Sequence, residues 1–131
     1  TVQEYTTATT KLVSSYAWDT ALDFIQKANS DNEHSDYATS SPEGNYSNTD
    51  YGNRLIRTGQ TTPVSNIYDM GGNLWEYTTE SYSNEYYPYV YRGGSYGDIY
   101  DVTPAGYRSG GYGYANSFNG FRTTLYCSTE S

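Results

Sequence analysis

A folded domain needs an apolar interior, and this chain carries little of the usual material for one. Leu, Ile, Val and Phe supply 17 of its 131 residues, a share that by itself leans towards disorder. Two features oppose that reading. The net charge of −8 is modest for the length, and the chain holds 18 Tyr and 2 Trp. Aromatic rings bury large areas and can build a core where aliphatic side chains are few. The expectation is one folded, loop-rich domain over residues 1–131, of a size that supports a single modest core.

Charge and composition exclude several classes. Phosphate binding needs clustered Lys and Arg, and the 7 basic residues here are spread along the chain. No basic amphipathic helix suits a membrane surface, and no run approaches the ~18 apolar residues of a membrane span. No charged-then-apolar leader opens the sequence at Thr1, which is weak evidence either way because a leader can be removed. Cys127 is the one cysteine, so no internal disulfide and no thiol zinc site can form. It reads as a small residue that packs near the terminus.

Along the chain, residues 1–12 are threonine-rich and fit a poor helix or an incomplete element equally well. Ser14 and Ser15 then precede Tyr16 to Ala28, in which Trp18, Ala21, Leu22 and Ile25 fall on one helical face. Either serine can cap this helix. Asn29 to Gln60 reads as loop, with His34 a solvated residue lacking a catalytic partner. Short β-like segments follow at Leu74 to Thr79, Tyr86 to Arg92 and Gly120 to Tyr126. The order helix, long loop, short strands indicates a small α+β domain.

The most demanding local stretch is "NIYDMGGNLWEY", Asn66 to Tyr77. It joins a Gly pair, a large aromatic and two carboxylates. By itself it reads as a Gly turn entering a strand, with Trp75 in the core and Glu76 paired to an arginine. The nearby "RGGSYG" lacks the following Lys-Ser/Thr of a phosphate loop.

Four segments in order resemble one family. "LVSSYAWDTAL" is similar to the "LPTEAEWEYAA" signature of the formylglycine-generating-enzyme, or sulfatase-modifying-factor, domain, with Val13 in place of its proline. "TGQTTPVSNIYDMGGNLWEYT" resembles "VGSFPPNxxGLYDMxGNVWEWT", "VYRGGSYGD" resembles "VLRGGSW", and "NGFRTTLY" resembles the closing "GFRV". The resemblance runs from Leu12 to Tyr126 and matches the C-terminal part of a domain about twice as long. It implies a variant C-type-lectin fold, with short twisted strands and extensive loops. The same framework occurs in variable proteins of diversity-generating retroelements, which are receptors of phage or bacterial surfaces. In this fold the first strand pairs with the last. If that first strand is absent here, the Gly120 to Tyr126 strand needs another partner, a second copy, making an oligomer, or a remodelled N-terminus.

The resemblance also implies a site and removes an activity. The family wraps a calcium ion with the "GNVWE" region, so Asp69 and Glu76 would give carboxylate oxygens, and Gly72 and Leu74 backbone carbonyls. Calcium takes six to eight oxygens, and no other cofactor is called for. The family's two active-site cysteines fall on Asp98 and Thr103 here. Neither does thiol chemistry or binds copper as a thiolate does, so formylglycine-generating activity is not expected. Asp98 and Asp101 could form a carboxylate pair, but they lie among turn residues and read as solvated loop acids.

Twelve of the 18 tyrosines lie between Tyr77 and Tyr126, among Gly, Ser, Asn and Asp. This is the palette of antibody paratopes. Tyr gives broad amphipathic contact at low entropic cost, and Ser, Gly and Asn give adaptable hydrogen bonds. The same residues arise when an AAY asparagine codon is mutated at its adenines, the signature of retroelement diversification. Candidate ligand-binding positions within a surface built by residues 80–119 are Tyr82, Asn84, Tyr86, Tyr87, Tyr96, Asp98, Tyr100, Asp101, Tyr107, Tyr112, Tyr114, Asn116 and Asn119. Arg92, Gly93, Gly94, Arg108, Gly120, Phe121 and Arg122 read as framework. At alternate strand positions such as Tyr89 and Tyr91, one of each pair is expected in the core. The function expected is non-catalytic binding of a protein or glycan at a cell or virion surface. The alternative is a degenerate enzyme-family domain serving as a structural module.

Overall fold

The computed structural model describes residues 7–28 and 33–128. Helix α1 spans Ser15–Ala28, one residue from the sequence expectation. Of the two serines, Ser14 is the cap. Its Oγ accepts from Ala17 N at 3.0 Å, which satisfies one of the free amides of the first turn. In the last turn Lys27 pairs with Asp23. The apolar face of α1 buries Trp18, Leu22 and Ile25 against Val13, Tyr37, Val64, Met70 and Ala105. Each large apolar side chain so buried contributes about 1.5–3 kcal/mol. The Trp18 Nε1–H, the polar end of the largest core residue, donates to Ala105 O at 2.9 Å.

The described part of the threonine-rich start is a strand, residues 1–6 lying outside the described part. β1, Thr7–Leu12, pairs antiparallel with β6, Thr123–Ser128, with Thr9 opposite Tyr126 and Leu12 opposite Thr123. β-Branched threonines fit a pleated ribbon better than a helix. The chain's own N-terminal segment therefore supplies the partner of the last strand.

A second sheet has the order β4-β3-β2-β5. β2, Trp75–Ser81, lies between β3, Tyr89–Arg92, which is antiparallel to it, and β5, Asn119–Phe121, which is parallel. β4, Arg108–Gly111, pairs outside β3. The strand anticipated over Gly120 to Tyr126 is thus two strands in two sheets, separated by Arg122. The segment Tyr86 to Pro88 is turn rather than strand, closed by Tyr87 N to Asn84 O at 3.2 Å. The β4 sequence "RSGG" gave no strand signal, because glycine disfavours strands.

The long loop, of which residues 29–32 lie outside the described part, is pinned to the interior. Tyr37 and Tyr46 are buried in it. Burial raises both phenols well above the ordinary tyrosine value, and Tyr46 Oη donates to Gly93 O at 3.0 Å. His34 is not solvated as expected; its Nδ1 lies 2.9 Å from Glu43 Oε2, and its side chain is largely covered. Cys127 is exposed on β6 rather than packed.

The Gly-pair turn is explained by close backbone approach. Gly72 has φ +71°, and a Cβ there would sit 2.3 Å from Asn45 O. The turn thereby docks the long loop through Asn73 N to Asn45 O at 2.8 Å.

Candidate functional site

The second sheet sets out a continuous run of rings. On β3, Tyr89 and Tyr91 share one face, while the alternate residues Val90 and Arg92 are buried on the other. The expectation that one of the two tyrosines is core therefore fails: strand period two puts both on the open face. Trp75 and Tyr77 of β2 join them. Ring centroids are 6.3 Å apart for Tyr89–Tyr77, 5.4 Å for Tyr77–Tyr91, 5.0 Å for Trp75–Tyr91 and 5.8 Å for Trp75–Tyr107. Trp75, read as core, is half-buried in this row.

The interleaved glycines give the rings their seats. A Cβ on Gly111 would lie 1.9 Å from the Tyr91 ring, and one on Gly113 would lie 2.2 Å from Tyr89. Part of the Tyr/Gly bias is therefore structural, because the end of β4 and the turn after it must be bare for the β3 tyrosines to lie across them.

At one end of the row the β2–β3 and β4–β5 loops meet. Tyr87 and Tyr112 approach to 4.4 Å between centroids, with their hydroxyls 2.8 Å apart. Tyr114 stacks on Tyr112 at 5.3 Å. The Tyr87 hydrogen bond raises the Tyr112 phenol above its ordinary value. Arg108 lies 5.3 Å over the Tyr82 ring and is held by Glu80. That ion pair pulls the Glu80 carboxyl below the ordinary range. A recess of about 360 Å³ opens here, lined by Tyr82, Asn84, Tyr87, Ser109 and Gly110.

At the other end Tyr96 stacks on Phe118 at 5.1 Å. A cleft of about 370 Å³ is bounded by Trp75, Tyr91, Phe118, Ser95, Gly97, Asp98, Asn116 and Asn119. Asp98 Oδ2 accepts from Ser95 N at 2.8 Å and from Ser95 Oγ at 2.7 Å, which fixes the loop that carries it. Asn119 Nδ2 donates to Tyr77 Oη at 3.0 Å.

None of the thirteen candidate positions is buried. Tyr82, Asn84, Tyr86, Tyr87, Asp101, Tyr107, Tyr112, Tyr114 and Asn116 are exposed, and Tyr96, Asp98, Tyr100 and Asn119 are half-buried. Tyr86 is the most open of the tyrosines among them, at 76%. Tyr100 stands apart. It packs edge-on to Tyr46 and lines a separate cavity with Glu43, Asp50 and Tyr51. Sequence reasoning did not place Trp75, Tyr77, Phe118 or the pair Tyr89 and Tyr91 together on the aromatic face. The alternation W-x-Y on β2 and Y-x-Y on β3 was the available signal.

The two carboxylates considered for calcium, Asp69 and Glu76, both have protein donors. Asp69 Oδ2 accepts from Gly59 N at 2.7 Å, and Oδ1 accepts from Thr61 Oγ1 at 2.6 Å. Both Glu76 oxygens are taken by Arg122, Nε to Oε2 at 2.8 Å and Nη2 to Oε1 at 3.1 Å. Arg122 Nη2 also donates to the carbonyls of Tyr68 and Asp69. The Arg122 guanidinium thus lies between the Glu76 carboxylate and two backbone carbonyls. Among the described residues no three His, Cys, Asp or Glu side chains gather as a metal site. Burial pushes the Glu76 carboxyl above the ordinary range, the Arg122 bonds opposing it.

This arrangement of one capped helix, two small sheets and long pinned loops is an α+β, C-type-lectin-like fold. The chain belongs to the sulfatase-modifying factor enzyme 1-like domain family, which it matches over residues 1–126. Among solved structures it is similar to CarF, with a TM-score of 0.67 and 24% identity, over 90% of this chain and 47% of that one. It is also similar to variable protein 1 of Treponema denticola, with a TM-score of 0.61 and 18% identity, over 93% of this chain and 49% of that one. The chain thus spans about half the length of these structures. No curated protein matches it at a significant level. No described helix is long and apolar enough to cross a membrane.

Proposed function

We propose that this chain is a non-catalytic binding domain, displayed at a cell or virion surface, whose tyrosine face engages a protein or glycan. The observation that carries this reading is the exposed aromatic face itself. Rings of Tyr86, Tyr87, Tyr89, Tyr112 and Tyr114 stand open on one sheet and its loops, where unpartnered aromatic surface of this extent marks an interaction site. The composition around them supports it, since Tyr beside Ser, Gly and Asn is effective contact chemistry. Likeness to a protein called a variable protein supports a face whose residues are retroelement-diversified. Asp98 and Thr103, where the enzymes carry cysteines, support the absence of thiol catalysis.

The test is a binding screen against extracellular proteins and glycans, with Tyr86→Ala/Tyr112→Ala/Tyr114→Ala alongside the parent. Binding should be lost, while the melting temperature moves by no more than a few degrees, because these rings are surface groups. Unfolding of the triple variant would make the tyrosines structural and end the reading. Diversification has its own test: variation across a population confined to adenine-derived codons of residues 80–119, beside a near-identical template repeat. An invariant locus would remove that element alone.

A further inference from the structure

The cleft at the Trp75 end differs from the rest of the tyrosine face. We propose that it receives a cationic side chain, an arginine or lysine, of the binding partner. This rests on the binding reading above and names the chemistry of its anchor.

Three features carry it. The walls are aromatic on several sides: Trp75, Tyr91 and Phe118 line the cleft, with Trp75 and Tyr91 inclined at 57° and forming a corner rather than a flat stacking floor. Ring faces attract cations within about 6 Å. The same face already seats one, since Arg108 lies 5.3 Å over Tyr82.

Asp98 opens into the same space. Its Oδ2 is committed to Ser95, while Oδ1 takes no hydrogen bond among the described residues. The Ser95 hydroxyl donates to Asp98 and one Asn119 amide hydrogen to Tyr77, which leaves Asp98 Oδ1 as the charged acceptor of the cleft. A guanidinium has only donors to offer and suits what remains.

Charge complementarity points the same way. Residues 80–119 contain two cations, Arg92 and Arg108. Arg92 is buried, and Arg108 is held by Glu80. Glu85, Asp98 and Asp101 form no ion pair among the described residues. The chain carries −8 overall, so a basic partner would be steered towards it, and Asp98 is the acid placed in the cleft itself.

The experiment titrates the full chain, 15N-labelled, with N-acetyl-arginine amide. Its neutral isostere N-acetyl-citrulline amide and a methyl pyranoside are the controls. The readouts are the Trp75 indole and the Asn116 and Asn119 side-chain amides, with the buried Trp18 indole as reference. The arginine probe should shift the cleft signals saturably, bind about tenfold more tightly than citrulline, roughly 1.4 kcal/mol, and weaken with added salt. Asp98→Asn should lose that preference. Because Asp98 also fixes the Ser95 loop, Phe118→Leu is the second variant, expected to weaken the arginine probe with the loop intact. Equal shifts from arginine and citrulline, no saturable arginine shift, or cleft shifts from the pyranoside alone would overturn the proposal. If those results came with a partner whose binding the triple tyrosine variant abolishes, only this inference would fall. If no partner appeared but arginine bound, the wider tyrosine face would be what failed.

Discussion

Replacing Arg122 by methionine tests the lock at the centre of the fold. This side chain bonds both Glu76 oxygens, at 2.8 and 3.1 Å, and the carbonyls of Tyr68 and Asp69, at 2.9 and 3.1 Å. It also lies 5.6 Å over the Trp18 ring. Methionine keeps the apolar volume and strands the Glu76 carboxylate. Removing one partner of a buried pair costs about 3–5 kcal/mol. Arg122 retains 27% exposure and Glu76 12%, so water offsets part of this and the lower end, about 3 kcal/mol, is expected. For a domain of this size that lowers Tm by about 10 °C.

The assay is urea unfolding of Glu76→Gln, Arg122→Met and the double variant, near neutral and at acidic pH. The double variant removes the stranded charge and should recover about 1–2 kcal/mol relative to Arg122→Met. The sign with pH follows from linkage. Burial holds the Glu76 carboxyl above the ordinary range, so the folded state binds that proton more tightly than the unfolded chain. Its contribution is present below the unfolded value and is lost as pH rises through the folded one. Without Arg122 the carboxyl rises further, so the Arg122→Met deficit should shrink on acidification. A deficit independent of pH, with a double variant no better than the single, would refute the reasoning. The loss would then lie in the two carbonyl bonds and the Trp18 contact.

Further outcomes follow from the same geometry. Gly93→Ala places a Cβ 2.6 Å from Met70 O at φ +92°, and a melting-temperature fall equivalent to at least about 2–3 kcal/mol is expected. Because the Asp69 and Glu76 oxygens are taken by protein donors, chelator or added calcium should leave the melting temperature unchanged; a rise of several degrees with calcium would show that the ion displaces Arg122. The Glu80 carboxyl is held low by Arg108, so its contribution is present above the unfolded value and lost as pH falls through the folded one. Glu80→Gln should remove that acid-side slope in a Tm-against-pH series, and an unchanged slope would assign it to other carboxylates.

The sequence by itself determined the elements whose cause is local. The spacing of Trp18, Leu22 and Ile25, with serines before them, was enough for α1 and its buried face. The Gly pair marked a turn because positive φ and close backbone approach both favour that residue. The four ordered motifs carried the family and hence the fold. The tyrosine palette pointed to the face, and all thirteen positions chosen lie outside the core.

Tertiary structure decided what depends on partners distant in sequence. β1 and β4 are strands because β6 and β3 pair with them, not because threonine or Arg-Ser-Gly-Gly asks for it. Tyr37 and Tyr46 are buried while Tyr89 and Tyr91 are not, although all four are the same residue; the long loop packs the first two into the interior, and strand alternation turns the others outward. Glu76 read as a metal ligand or as the partner of an arginine, and the sequence did not name which arginine; the fold brings Arg122, 46 residues beyond, against it. Composition sets which side chains are available, and long-range contacts set which of them water still reaches.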